Sequence, residues 1–258
     1  MTFYKYQGTG NDFILLDNRD GMISFTTGQI ALLCNRHMGI GADGLMLLEN
    51  TAGYDFRMVY YNSDGRESTM CGNGGRCIVA FAKRLGIIHN QAYFLAIDGS
   101  HTATIADDNL ISLHMNDVKD IDIYGSHTIL NTGSPHYVLF VSDVSDVNVY
   151  QQGREIRNLQ RFQPDGINVN FVQIHDGKLK VRTYERGVED ETLSCGTGVT
   201  ASAIAATARF QGIFATEIET PGGHLVVTFA KDTGTSAKEV VLTGPAEFVF
   251  KGEIASIG

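Results

Sequence analysis

No stretch of the 258 residues approaches the roughly 18 consecutive apolar positions of a membrane-spanning helix. The first residues, MTFYKYQGTGNDF, lack an apolar signal-peptide segment, so a cytoplasmic protein is expected. Proline is scarce, at four residues, and no low-complexity linker divides the chain. Cationic residues are outnumbered: 20 Lys and Arg face 29 Asp and Glu, a net charge of −9. That balance argues against nucleic acid as a partner, because such binding depends on basic residues meeting phosphate. It leaves room for an acidic small molecule held by a single local arginine. Cysteine is limited to Cys34, Cys71, Cys77 and Cys195, with no CxxC spacing. In a reducing compartment four such residues read as thiols and not as a disulfide framework. The only metal-like spacing, CNRH from Cys34 to His37, stands alone, so no metal is expected. GNGGRC lacks the Lys-Ser or Lys-Thr of a phosphate loop. GIGADG, Gly39 to Gly44, follows a helix-like stretch and precedes the strand-like LMLLE, the reverse of a dinucleotide fingerprint, and reads as a turn.

What is present is a globular composition, 43% hydrophobic, organised by an internal repeat. MCGNGGRCIVAFAKRLG from Met70 parallels SCGTGVTASAIAATARFQG from Ser194. Each runs from Cys-Gly-polar-Gly into small and apolar residues, and each closes on a glycine, Gly86 or Gly212. Tyr61 precedes Cys71 by 10 residues (71 − 61) and Tyr184 precedes Cys195 by 11 (195 − 184), and TGNDFILLD around Asn11 parallels TGSPHYVLFVSD around Ser134. The landmarks share an offset close to 124 (195 − 71).

Each half reads mostly as short strands, among them DFILLD, YDFRMVYY, AYFLAI and TATIA, then HYVLFVS, NVNFVQIH, KLKVRTYE and HLVVTF. Asp176-Gly177 predicts a hairpin turn. A helix is predicted after each Cys-Gly motif. Another is predicted over TTGQIALLCNRH, capped by Thr26 or Thr27 and with Gly39 just past its end. The expected fold class is α+β: two pseudo-symmetric lobes, each a curved, mostly antiparallel sheet wrapped around a central helix, with the active site in the cleft between them. The N-terminal lobe, 1–115 with a C-terminal strand 247–258, carries Cys71. The C-terminal lobe, 116–246, carries Cys195.

A helix N-terminus presents unpaired N–H groups and roughly half a positive charge, which lowers the pKa of a thiol placed there. Neighbouring glycines admit a ligand close to the backbone. Two such thiols facing one ligand suit inversion of a stereocentre: one, as thiolate, takes a proton from one face while the other, as thiol, delivers one to the opposite face. Helix N–H groups aimed at the substrate carboxylate would stabilise the anionic intermediate. Cys34, inside IALLC, and Cys77, six residues into its helix, read instead as small buried hydrophobes.

Taken together, GTGNDFILLD, RHMGIGADG, YYNSDGRESTMCGNGGRC, GSPH, DGINVNFV and YERGVEDETLSCGTG make the chain resemble, essentially end to end, the diaminopimelate epimerases. These are pyridoxal-phosphate-independent enzymes, so the resemblance implies no cofactor. It implies Cys195 as the base toward the LL-substrate and Cys71 as the acid, with roles exchanged in reverse. It implies carboxylate binding by Gly72-Asn73 and Gly196-Thr197, substrate contacts from Asn11, Asn62, Asn168, Glu185 and Arg186, and tuning of the cysteines by His136 and Glu185. It also implies diaminopimelate as the small-molecule partner, a homodimer, and the return of GPAEFVFKGEI to the first lobe. Two positions depart from a common form of the pattern: Gly44 stands where a glutamine is often found, and Ser134 where GNPH has asparagine. Gly44 has no side chain to offer; Ser134 is shorter but still hydrogen-bonds. Gly44 and Asn168 share the 124-residue offset, so they are equivalent sites.

Three other readings compete. A sibling racemase acting on proline, hydroxyproline or histidine would have little use for Arg186. A thiol redox protein would need a resolving cysteine, and the one close pair, Cys71 and Cys77, is more than a helical turn apart. A non-catalytic amino-acid-binding module would tolerate loss of both thiols.

Overall fold

The computed structural model describes residues 1–255 and divides into two compact units. The first comprises Met1–Leu113 and the chain from Gly244 onward; the second is His114–Thr243. The expected N-terminal lobe ran to 258, and its residues 256–258 lie outside the described residues.

In the first unit the order is β1 (Thr2–Gly8), β2 (Asn11–Asp17), α1 (Thr27–Cys34), β3 (Gly44–Glu49), β4 (Phe56–Asn62), α2 (Gly72–Arg84), β5 (Gln91–Ala96), β6 (Gly99–Ile105) and β7 (Ile111–His114). The second contains β8 (Ile121–Ile123), β9 (His127–Asn131), β10 (Pro135–Phe140), α3 (Val149–Arg157), β11 (Asn168–His175), β12 (Lys178–Glu185), β13 (Asp190–Thr192), α4 (Gly196–Ala206), β14 (Gly212–Thr220), β15 (Gly223–Lys231) and β16 (Lys238–Gly244). The chain then returns to the first unit as β17 (Glu247–Glu253), antiparallel to β1.

The repeat is visible in the pairing. In the first unit the strands run β17-β1-β2-β3-β4-β5-β6-β7, antiparallel except at β2/β3 and β4/β5. In the second they run β8-β9-β10-β11-β12-β14-β15-β16, antiparallel except at β10/β11 and β12/β14. Registers correspond as well: Phe13 opposes Gly44 as His136 opposes Asn168. Each parallel pair needs a crossover, and each crossover carries a helix: α1, α2, α3 and α4 in turn.

The two post-cysteine helices lie at the centres of their units. Ten of thirteen residues of α2 and nine of eleven of α4 are buried. A helix buried on nearly every side cannot afford bulk, which explains the run of Gly, Ala, Ser and Thr in GTGVTASAIAA. Val199, Ala201, Ala203, Ile204 and Ala205 pack against Val138, Val172, Val181, Val227 and Leu242 of the surrounding sheet. α1 and α3 lie over smaller cores that include Leu45, Leu47 and Val59 for α1 and Val169, Phe171 and Tyr184 for α3.

One expectation needs correction, and two features were not foreseen. α1 is capped by Thr26, with a reciprocal bond from Gln29, but it stops at Cys34; Asn35 then turns the chain, and Gly39 lies five residues beyond the end. α4 ends at Ala206, short of the glycine that closes the repeated motif. Thr207 and Ala208 bond three residues back, and the buried Lys231 ammonium takes up the Thr207 carbonyl 2.9 Å away. Gly212 instead opens β14 at φ 132°. α3 was not foreseen, although the repeat places it opposite α1. Asn148 caps it through the Gln151 N–H, and Gly153 lets it sit directly on Tyr184. The predicted turn at Asp176-Gly177 is present, with both residues at positive φ as a two-residue hairpin requires. No described helix is long and apolar enough to cross a membrane.

Candidate active site

Cys71 and Cys195 occupy equivalent positions, each as the residue that caps the N-terminus of the central helix of its unit. Both have extended backbones, with φ −104° and −116°, so the chain leaves a strand-like approach and enters the helix at the thiol. The following glycines have a steric cause. A Cβ on Gly74 would come within 2.9 Å of Met46 and 3.1 Å of Cys71 Sγ. A Cβ on the equivalent Gly198 would come within 2.4 Å of Asn170 Oδ1 and 3.3 Å of Cys195 Cβ.

In the first unit Cys71 Sγ accepts the Gly74 N–H at 3.2 Å. Asn73, the second helical residue, is buried and donates to Asn11 Oδ1. Asn11 donates in turn to Asp43 at 3.0 Å. Asn11 begins β2 directly after Thr9 and Gly10, which turn the chain at φ 48° and 93°. Asn62 lies exposed at the end of β4, paired across the sheet with Gly44. Gly44 cannot carry a side chain here: a Cβ would stand 2.5 Å from the Tyr60 ring and 2.6 Å from the Tyr61 carbonyl. Tyr60 fills that space, packed edge-on against Phe13.

Sequence reasoning missed Arg76. It is fully buried, and its partners are all neutral oxygens: Pro245 O, Gly72 O, Thr9 Oγ1 and Asn73 Oδ1. Burial lowers its pKa to about 10, which leaves it charged at neutral pH. A positive charge is therefore built into the first turn and a half of α2, behind Cys71. The available signal was a lone arginine among the small and apolar residues of GNGGRCIVAF. At the equivalent position of α4, Thr200 makes the matching bond to Gly196 O but brings no charge.

In the second unit Ser134, His136, Asn168, Asn170 and Thr197 form one connected polar cluster beside Cys195. Ser134 Oγ lies 3.0 Å from His136 Nε2, 3.1 Å from Asn168 Nδ2 and 3.2 Å from Thr197 Oγ1. Thr197 Oγ1 lies 3.5 Å from Cys195 Sγ. His136 is fully buried, and burial, with the nearby Arg186 charge, depresses its pKa to about 3, so the ring is neutral. Its ring nitrogens meet Asn170 and Ser134. Asn170 and Thr183, which complete this cluster, were also missed; Asn170 reads in the sequence as one more polar residue of the strand NVNFVQIH. Glu185, at the end of β12, accepts from Thr192 Oγ1 at 2.9 Å. The Arg186 backbone N–H donates to Asn168 Oδ1 at 2.9 Å. Among the described residues its guanidinium meets only the Asp165 carbonyl, at 3.5 Å, whereas nearby Arg182 is doubly bonded to Glu191 at 2.7 Å. Arg186 is thus a cation held in place by its main chain with its head left available to an anion.

Cys34 and Cys77 are buried in the first unit. Burial pushes the Cys34 thiol up to about 11 and raises that of Cys77 further.

A sheet-wrapped central helix in each of two matching units is the fold of the PhzF-family and proline racemase-type proteins. Among solved structures the chain is similar to a Bacillus anthracis phenazine biosynthesis protein of the PhzF family, with TM-score 0.76 at 14% identity, covering 99% of each chain. It is also similar to a hydroxyproline epimerase from Agrobacterium vitis, with TM-score 0.71 at 16% identity, covering 98% of this chain and 91% of that one. Within that fold the assignment is specific. The diaminopimelate epimerase family model matches residues 3–120 and 128–249. The chain is 52% identical to the diaminopimelate epimerase of Flavobacterium psychrophilum, over 98% of this chain and 100% of the relative. It is 40% identical to that of Chlorobaculum tepidum, over 96% and 98%. The chain belongs to the diaminopimelate epimerase family.

Proposed function

We propose that the protein is an isomerase that interconverts LL- and meso-2,6-diaminopimelate, without a cofactor, by two-base proton exchange at one α-carbon. Cys195, as thiolate, removes the α-proton of the LL-substrate while Cys71, as thiol, delivers a proton to the opposite face; in the other direction the roles exchange. This requires the two units to close on one substrate, with the site between them. Main-chain N–H groups of Gly72, Asn73, Gly196 and Thr197 receive the carboxylate at the reacting carbon, where negative charge grows in the transition state. Arg186 forks onto the distal carboxylate, Glu185 accepts from a substrate ammonium, and Asn11, Asn62 and Asn168 complete the contacts. Glu185 and His136 tune the thiols. The protein acts in the cytoplasm as a homodimer, supplying lysine and peptidoglycan synthesis.

The observation that carries this reading is the equivalence of the two cysteine caps in a chain of this family. The uncommitted Arg186 guanidinium supports a substrate with a second carboxylate over proline or histidine. The test is proton NMR in D2O with reduced protein and LL-diaminopimelate, with proline and histidine in parallel. Loss of the α-proton signal with appearance of the meso isomer is the expected result. Exchange only with another amino acid would keep the chemistry and discard the substrate. No exchange with any of them, in folded protein with free thiols, would refute the epimerase assignment.

A further inference from the structure

The polar cluster beside Cys195 admits one assignment of its protons. Asn168 is oriented by two groups that have no choice of role: its Oδ1 accepts the Arg186 N–H, and its Nδ2 donates to the Pro135 carbonyl at 3.1 Å. Asn170 is fixed in the same way. Its Nδ2 donates to the Tyr137 carbonyl at 3.2 Å, and its Oδ1 accepts the Thr183 hydroxyl at 3.0 Å. The amide group facing His136 Nδ1, at 3.0 Å, is therefore the Asn170 N–H, a donor. Nδ1 must accept, so the ring proton sits on Nε2 and points at Ser134 Oγ. Ser134 then accepts from both His136 and Asn168, and its own proton has one direction left, toward Thr197 Oγ1. Thr197, already accepting, turns its proton to Cys195 Sγ.

We propose that Asn170 is a positioning residue: by fixing the tautomer of His136 it sets the direction of a relay through Ser134 and Thr197 that ends with the Thr197 hydroxyl donating to Cys195 Sγ. A donor aimed at sulfur favours the thiolate over the thiol. The proposal deepens the epimerase reading, and it gives Ser134 a definite part, that of a single-atom junction carrying both acceptances and one donation. Cys71 takes its bond from the Gly74 main chain instead. Glu185 and Arg186 at the end of β12 and His136 on β10 are the charged or titratable residues of this unit that the epimerase reading assigns to the Cys195 site, and Thr197 and Asn170 can be altered without adding or removing a charge.

Two measurements decide it. Long-range proton–nitrogen NMR of 15N-histidine-labelled protein, with His136 assigned by its loss in His136→Gln, should show the Nε2–H tautomer unchanged from pH 5.5 to 8.5. An Nδ1–H ring or a cation would overturn the relay. Separately, alkylation of Cys195 followed by peptide mass spectrometry across pH should give an apparent thiol pKa about one unit higher in Thr197→Val, close to a tenfold loss of thiolate at neutral pH, and nearly unchanged in Thr197→Ser. Asn170→Leu removes the N–H without adding a charge, so the ring should take up the Nδ1–H tautomer in part and the Cys195 pKa should rise in the same direction. An unaltered Cys195 pKa in Thr197→Val, or an unaltered His136 tautomer in Asn170→Leu, would overturn the proposal. Should Asn170→Leu fail to fold, the wild-type tautomer and the Thr197 pair still decide. None of these readouts requires turnover, so loss of the epimerase assignment would leave them standing.

Discussion

Replacing Gly198 by alanine adds one methyl group where α4 closely approaches a buried asparagine. That carbon would stand 2.4 Å from Asn170 Oδ1, and ordinary contact begins near 3.4 Å, so one partner must retreat by about 1 Å. Asn170 is fully buried and bonded to His136, Tyr137 and Thr183, while Gly198 lies in the first turn of a helix buried on nearly every side. Overpacking of this kind costs about 1–3 kcal/mol, and a displaced hydrogen bond about 1 more. Against this, alanine gains about 0.5–1 kcal/mol of backbone entropy in a helix. The net expectation is a loss of about 1–3 kcal/mol, or about 3–10 °C in Tm for a chain of this length. Gly28, in α1, has open space where its Cβ would lie, so the same substitution there should be neutral or slightly stabilising. Urea and thermal unfolding of the two variants beside wild type test the pair. If Gly198→Ala is as stable as wild type, the close approach of α4 to Asn170 is not what selects glycine, and the steric account of the motif fails.

Cys71→Ala and Cys195→Ala should each abolish epimerisation with circular dichroism unchanged; wild-type turnover in either would end the two-base mechanism. Arg186→Met should raise KM at least tenfold with little effect on Tm, because no ion pair is lost; an unchanged KM would remove Arg186 from the substrate site. Burial alone would raise the Asp12 carboxyl, but hydrogen bonds from Arg36 and Lys5 outweigh it and hold the pKa at about 2. Because the folded value lies below the unfolded one, this stabilisation is complete above about pH 4 and fades as pH falls toward 2. Asp12→Asn should therefore cost more stability at pH 6 than at pH 3, as urea midpoints at the two values would report. Cys34 and Cys77 should resist iodoacetamide at pH 7.5 in native protein and react on denaturation, as peptide mapping would show.

The repeat was the most legible feature of the sequence, because backbone registers preserve the offset that Cys71 and Cys195 announce. The strands and their turns were legible for the same reason that Asp176-Gly177 was: alternating apolar residues and positive-φ dipeptides act locally. α3 escaped because NVYQQGREIRNL has no Cys-Gly landmark, although the offset from α1 pointed to it. The end of α4 was not legible because it depends on Lys231, 24 residues beyond Thr207, and no local pattern carries that contact. At the candidate site, the thiols and glycines could be read from their spacing. Arg76, Asn170 and Tyr60 could not, since each takes its meaning from what the fold brings to it. For Arg76 these are carbonyls from Gly72 and Pro245, for Asn170 the ring of His136, and for Tyr60 the space left by Gly44.

The return of β17 bears on the order in which the protein is made. β8 flanks β9 from within the second unit, but the corresponding flank of β1 comes from the far end of the chain. The second unit is one continuous stretch and can complete its sheet soon after Thr243 has left the ribosome. The first, synthesised earlier, must wait with the β1 edge unpaired until the last strand emerges, and Arg76 must wait for the Pro245 carbonyl. The half that begins the protein is thus the half that finishes last, reversing the usual N-to-C order of domain folding. Because the Met1 ammonium lies 3.0 Å from the Ile254 carbonyl, a short engineered linker could join the end of β17 to the start of β1. A circular permutant reopened near Gly244 would make each unit continuous and remove the wait.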